Sequence, residues 1–138
     1  MAFVNLEAAA ERASTWLAAR ACDGAPAPPE GEADLWIVCA GKEGETAEED
    51  AACAGRFALR VMSRLAAADV AVEMAAEGAT LAEAPESEAE TRDRVAASEH
   101  GRYLSSLGPE FEKDVDWCGR WDVLDCVPQG SGARLVVD

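Results

Sequence analysis

Six consecutive apolar residues, "LWIVCA" at positions 35–40, follow a Gly/Pro-rich stretch and stop at Gly41. A continuous apolar run bounded by turn signals predicts a central β-strand covered on both faces, because alternation would be expected if one face met water. Gly41 and Gly44 then mark a turn. Beyond it Cys53, Phe57, Val61 and Leu65 recur every four residues, with Ala54, Ala58 and Met62 beside them. That spacing predicts a helix of about twenty residues beginning near Thr46 or Ala47. The unit is strand, turn, helix, and a chain that contains one has to lay the helix against a sheet.

Such a unit usually invites an anion to the helix start, where backbone N–H groups and the helix dipole favour negative charge. This one instead gathers Glu43, Glu45, Glu48, Glu49 and Asp50, with Lys42 as the only cation in the turn. The surplus belongs partly to the whole chain, whose 27 acidic and 12 basic residues give a net charge of −15. A surface so acidic repels nucleic acid and anionic membranes, so neither is expected as a partner. Scarce lysine, abundant alanine and dispersed carboxylates also suit a protein kept soluble at high salt.

The remaining pattern is that of an α/β domain with a small mixed sheet flanked by helices. Residues 5–21 place Leu6, Ala9, Ala13, Trp16, Leu17 and Arg20 at helical spacing, with Asn5 as the candidate N-cap. Residues 22–34 read as a loop, and so does the polar stretch around residues 78–87. Another helix is expected from about Glu88, with Gly101 ending it and opening the next. A short helix closes at Gly119. "VLDCVPQ" and "ARLVVD", separated by "GSG", predict an edge hairpin with Pro128 near a strand end. With 138 residues the chain suits a single domain spanning 1–138. No apolar run approaches the roughly eighteen residues of a membrane span, and no targeting segment is evident, so a cytoplasmic protein is expected.

Several residues have both a structural and a chemical reading. Five cysteines, at 22, 39, 53, 118 and 126, include no CxxC pair. Cys39, Cys53 and Cys126 sit in apolar stretches and read as reduced core thiols in preference to metal or redox groups. Arg56, Arg60 and Arg64 line one helix face, either solvated and paired with neighbours or gripping a phosphate. Glu49 and Asp50 either stabilise the helix start or hold a cation. His100, the only histidine, is either structural or a proton donor. Asp125 sits in a strand-like stretch, where burial would demand a partner.

Four blocks, in order, resemble the 2-phosphosulfolactate phosphatases of coenzyme M biosynthesis. They are "FVNLEAAA", "VCAGKEGETAEEDAACAG", "SEHGRYLSSLG" and "DVDWCGRWDVLDCVPQGSGARL". The blocks resemble the C-terminal half of the family pattern; the N-terminal half, with its Asp-x-x-Arg-Ala strand end and Thr-Asn-Gly-Thr turn, has no counterpart. The resemblance implies the C-terminal part of a larger two-part α/β fold and Mg²⁺-dependent hydrolysis of a small phosphate- and sulfonate-bearing anion. It assigns Glu49 and Asp50 to the metal, Arg102, Gly41 and Gly44 to substrate, and His100 to proton transfer. Attack on phosphorus would rely on groups in the other half, so an N-terminal-half polypeptide or a homo-oligomer is the implied partner. The alternative is a non-catalytic acidic binding or scaffold domain that keeps the fold without the chemistry.

Overall fold

The computed structural model describes residues 2–21, 34–74, 84–131 and 133–137. A single 3₁₀ turn, Phe3–Asn5, leads into helix α1 (Leu6–Ala21); α2 (Glu48–Ala67), α3 (Glu88–Ala97), α4 (Glu99–Ser106) and α5 (Pro109–Cys118) follow. The chain ends in a hairpin of β1 (Pro128–Ser131) and β2 (Arg134–Val137). This is a small α/β fold. Of the loops read at residues 22–34 and 78–87, residues 22–33 and 78–83 lie outside the described residues.

The core is the seam between α1 and α2. Cys53, Phe57, Val61 and Leu65, the four-residue repeat of the sequence, are all buried there against Phe3, Leu6, Ala9 and Ala10. Burying each of the larger side chains is worth about 1.5–3 kcal/mol, which makes this seam the main apolar contribution to the fold. Alanines on α1 let the two helix backbones approach.

The helix starts are held differently from what local sequence implies. Asn5 is not an N-cap. Its Oδ1 accepts from the Ala2 N–H at 2.8 Å and its Nδ2 donates to the Cys126 carbonyl at 2.9 Å. The start of α1 is capped from far away, by Asp122, whose Oδ1 accepts from the Glu7 N–H. Backbone bonds from Asp122 N–H to the Phe3 carbonyl (3.1 Å) and from Leu124 N–H to the Val4 carbonyl (2.7 Å) complete the clasp between the two ends of the chain. Ser87 caps α3 by accepting from the Glu90 N–H.

Gly101 lies inside α4 and does not end α3. The break is at Ser98, whose extended backbone (ψ 158°) stops α3 while its Oγ caps α4 on the Gly101 N–H at 3.0 Å. Glycine is required at 101 because a Cβ there would fall on the Val95 carbonyl oxygen. The arginine row pairs with neighbours as expected, but it is half-buried and stacked rather than an open solvated face. Arg56 and Arg60 lie over the Trp121 ring at 4.8 and 5.2 Å, and Arg60 also donates to Glu7 (2.8 Å) and Asp122 (2.7 Å). Arg64 pairs with Glu7. Trp121 is fixed by its Nε1–H, which donates to the buried Thr91 hydroxyl at 2.9 Å.

Two strand expectations change. The hairpin forms, antiparallel with Pro128 opposite Val137, but β1 begins at Pro128 and not at residue 123. Asp125 is consequently exposed and needs no buried partner. Residues 35–40 form no strand among the described residues, where the only sheet is the terminal hairpin. Ile37 packs onto the α1–α2 core, whereas Trp36 (83%) and Val38 (86%) are exposed. Among the described residues the run is covered on one face only.

Candidate active-site cleft

The turn after residue 40 is a two-residue reversal. Lys42 and Glu45 exchange both backbone hydrogen bonds, at 3.0 and 2.9 Å. The residues between them, Glu43 and Gly44, have φ of 54° and 88°, the doubly positive pattern of a type I′ turn. Gly41 precedes it at φ 67°, and a Cβ there would stand 2.5 Å from the Glu45 carbonyl oxygen. Both glycines are therefore demanded by the turn itself.

The acidic helix start explains the rest of the loop. Asp50, in the first turn of α2, accepts the Gly41 N–H on Oδ2 at 2.9 Å. The backbone donor that would greet a phosphate in an anion-binding loop is thus taken by the chain's own carboxylate. Glu49, beside it, faces the start of α4, where His100 Nδ1 lies 3.9 Å from Glu49 Oε1. That contact becomes an ion pair when His100 is protonated. A second bridge joins the same two segments: Lys42 Nζ lies 3.5 Å from Glu99 Oε1 and 6.0 Å from the centre of the Tyr103 ring. Two blocks 51 positions apart in sequence, around Glu49 and around His100, meet here.

Glu49 and Asp50 line a cleft of about 260 Å³ together with Phe3, Val38, Cys39, Cys53 and Cys118. Burial, and then the Asp50 carboxylate, raise the Cys39 thiol; the same causes push Cys53 up to about 11. Cys118 is raised by burial and by Asp114. All three are neutral thiols at neutral pH, a weakly polar wall and not a set of nucleophiles. Their convergence was not readable from sequence, since they come from an irregular segment, a helix face and a helix end with no common spacing.

Arg102 stands apart from the other candidates. Its guanidinium donates to the Ala97 carbonyl, with no ion pair to Glu49 or Asp50. Glu43, Glu45 and Glu48 are exposed. A larger cleft of about 320 Å³, between α3 and α5, contains Arg92, Asp93, Glu112 and Asp116 and none of the candidate residues.

The donor set of the cleft suits a hard cation. Mg²⁺ is commonly bound through one or two carboxylates, the remaining positions going to water and substrate oxygens. Asp50 keeps Oδ1 uncommitted to Gly41, and Glu49 stands next to it on the helix. Among the described residues no group of three or more His, Cys, Asp or Glu side chains is arranged to enclose a metal. Two carboxylates with open positions are what the chain offers.

The family model for 2-phosphosulpholactate phosphatase matches residues 1–132. The chain belongs to that family. Two relatives from Synechococcus sp., strains JA-3-3Ab and JA-2-3B'a(2-13), each carry the name "Probable 2-phosphosulfolactate phosphatase". Each is 33% identical over 97 residues, which is 70% of this chain and 38% of the relative. The chain thus spans well under half the length of the curated relatives it matches. No solved structure matches it. No helix among the described residues is long and apolar enough to cross a membrane.

Proposed function

We propose that this chain forms part of a Mg²⁺-dependent phosphatase site that hydrolyses 2-phosphosulfolactate to sulfolactate and inorganic phosphate. The observation that carries the reading is the family match over residues 1–132, whose two most chemical blocks meet at the Glu49–His100 contact. Glu49 and Asp50 would hold the cation, with Gly41 fixing the Asp50 carboxylate and Gly44 allowing the tight turn beside it. Mg²⁺ would supply charge neutralisation between an acidic loop and a strongly anionic substrate.

In the hydrolysis, water oxygen bonds to phosphorus, the P–O bond to the sulfolactate oxygen breaks, and that oxygen takes a proton. His100, exposed at the cleft edge, is the candidate donor of that proton, with Glu49 orienting the ring. Arg102 would bind a sulfonate or phosphate through its planar fork after leaving the Ala97 carbonyl. The groups that direct the attacking water are assigned to the part of the relatives that lies outside the match.

The test is phosphate release from 2-phosphosulfolactate with Mg²⁺ in high salt, by this chain alone and by a mixture with the unmatched portion of a Synechococcus relative. Activity in either, lost in Glu49→Ala and Arg102→Ala, supports the reading. Hydrolysis in neither favours a binding domain that has kept the fold alone.

A further inference from the structure

Of the three arginines in the row on α2, two are neutralised and one is not. Arg60 meets Glu7 and Asp122, and Arg64 meets Glu7. Arg56 has no carboxylate partner among the described residues, and its Nε–H is shut off from solvent with no acceptor. A guanidinium packed onto protein without a counter-charge is costly, because the water it gives up is repaid only by pairing. The Trp121 ring, its centre 4.8 Å away, offsets part of that cost and fixes where the guanidinium lies. Trp121 is itself held twice, by Nε1–H to the Thr91 hydroxyl at 2.9 Å and by its backbone N–H to Glu88 at 3.2 Å. The result is a positioned, uncompensated cation.

Its place in the fold ties it to the cleft. Glu49, Cys53 and Arg56 follow one another at four and then three residues, which sets them on one face of α2, and Glu49 and Cys53 line the cleft. The rest of the stack is offset in the same way. Trp121 lies three residues beyond Cys118 and Thr91 four before Val95, and Cys118 and Val95 are also cleft-lining residues. Long side chains on a helix lean towards its N-terminus, which for Arg56 is the direction of the cleft. From Glu49 to Arg56 the helix rises about 10 Å, a span that a small organic phosphate and its cation can bridge.

We propose that Arg56, laid on Trp121, holds the substrate's carboxylate at the end of the cleft away from the cation. The functional reading above gives the phosphate to Mg²⁺ at Glu49 and Asp50 and a sulfonate or phosphate to Arg102, and it leaves the third anionic group, the carboxylate of the lactate unit, without a contact. A carboxylate is planar and matches the guanidinium fork through two parallel hydrogen bonds. It also supplies the counter-charge that Arg56 lacks. Arg60 is no substitute, since Glu7 and Asp122 already occupy it. A cleft with a metal at one end and an arginine at the other selects acids that carry two separated anionic groups over simple phosphate monoesters. That the bound group is the substrate's carboxylate rests on the functional reading, but the test reads binding and not hydrolysis, so the two fail separately.

The experiment titrates the full chain in Mg²⁺, by calorimetry, with three probes: sulfolactate, 2-hydroxyethanesulfonate, which lacks the carboxylate, and inorganic phosphate. The wild-type chain should bind sulfolactate about 10–100-fold more tightly than 2-hydroxyethanesulfonate, the worth of hydrogen bonds between charged groups. Arg56→Gln should remove that preference and leave phosphate binding unchanged. Glu49→Ala should do the reverse. Arg56→Lys, which keeps the charge without the fork, should restore only part of the preference, and it decides the matter if Arg56→Gln loses its helical circular dichroism. A preference that survives in either Arg56 variant at full strength, an equal loss of all three probes, or a wild-type chain without the preference would each overturn the proposal. An Arg56-dependent preference beside phosphate binding that ignores Mg²⁺ would support the carboxylate contact and sink the phosphatase reading.

Discussion

Asparagine at position 50 separates two tasks that one carboxylate performs in the cleft. Asp50 Oδ2 accepts the Gly41 N–H at 2.9 Å and holds the turn, and its charge lines the cleft. A hydrogen bond to a charged acceptor is worth about 1.5–3 kcal/mol and one between neutral groups about 0.5–1.5 kcal/mol. An acid in the first helical turn adds about 0.3–1 kcal/mol. Since Asp50 is partly exposed, the lower ends apply. Asp50→Asn, which keeps an acceptor, should cost about 1–1.5 kcal/mol, and Asp50→Ala, which leaves the amide unpaired, about 2–3 kcal/mol. For a chain of this size that is roughly 4–6 °C and 8–12 °C in melting temperature. Thermal unfolding by circular dichroism, repeated across a Mg²⁺ series, reads both tasks. Asparagine should retain most of the stability and lose most of the Mg²⁺-dependent stabilisation. The alkylation rate of Cys39 should rise, because the charge that raises its thiol is gone. Equal losses for Asn and Ala, with Mg²⁺ still raising the melting temperature, would refute the reasoning and leave Asp50 as a packing residue.

Other perturbations probe the frame around the cleft. Gly101→Ala forces a Cβ onto the Val95 carbonyl oxygen and should cost about 3 kcal/mol, the upper end for overpacking, measured by urea unfolding. Thr91→Val leaves the Trp121 Nε1–H and its backbone neighbourhood without the buried hydroxyl, at about 1–3 kcal/mol, with a shift of Trp121 fluorescence as the local readout. Cys53 keeps its proton to about pH 11 in the folded chain and to 9.0 when unfolded. Its contribution is therefore complete below pH 9 and is lost as pH rises from 9 towards 11, by about 2–3 kcal/mol, a slope that Cys53→Ala should flatten. Asp116 is held below its ordinary 3.8 by Arg92 and then Arg120, so its contribution is present above pH 3.8 and lost as pH falls below it. Asp116→Asn should remove that acid-side dependence.

What the sequence made legible follows from locality. The repeat Cys53, Phe57, Val61, Leu65 needs only the helical period to be read, and all four residues are buried in the seam with α1. The starts of α2 and α3 and the close of α5 at Gly119 were equally local. Long-range caps were not. Asn5 has the side chain of an N-cap, but the Cys126 carbonyl claims its amide and Asp122 caps the helix instead, a substitution that no spacing announces. The arginine row does pair with neighbours, as its charge suggested, but its stacking could not be read for the same reason. Trp121, more than fifty residues away, turns a row of cations at helical period into a stack on an aromatic ring. In the cleft, the acidic pair and His100 were marked by the family blocks, whereas the thiol wall and the Lys42–Glu99 bridge came only from the fold.

The apolar run at residues 35–40 is where sequence and structure disagree most, and the disagreement has a direction. A central strand needs partners on its edges and layers on its faces; the described residues supply Ile37 with a core and give Trp36 and Val38 nothing. A random surface would not hold six apolar residues in a row on a chain carrying a net charge of −15. The composition therefore records an environment that the described residues around it do not complete, beside a cleft that carries two carboxylates. Val38, Cys39, Glu49 and Asp50 all line that cleft, so the unpaired run and the carboxylates border the same space.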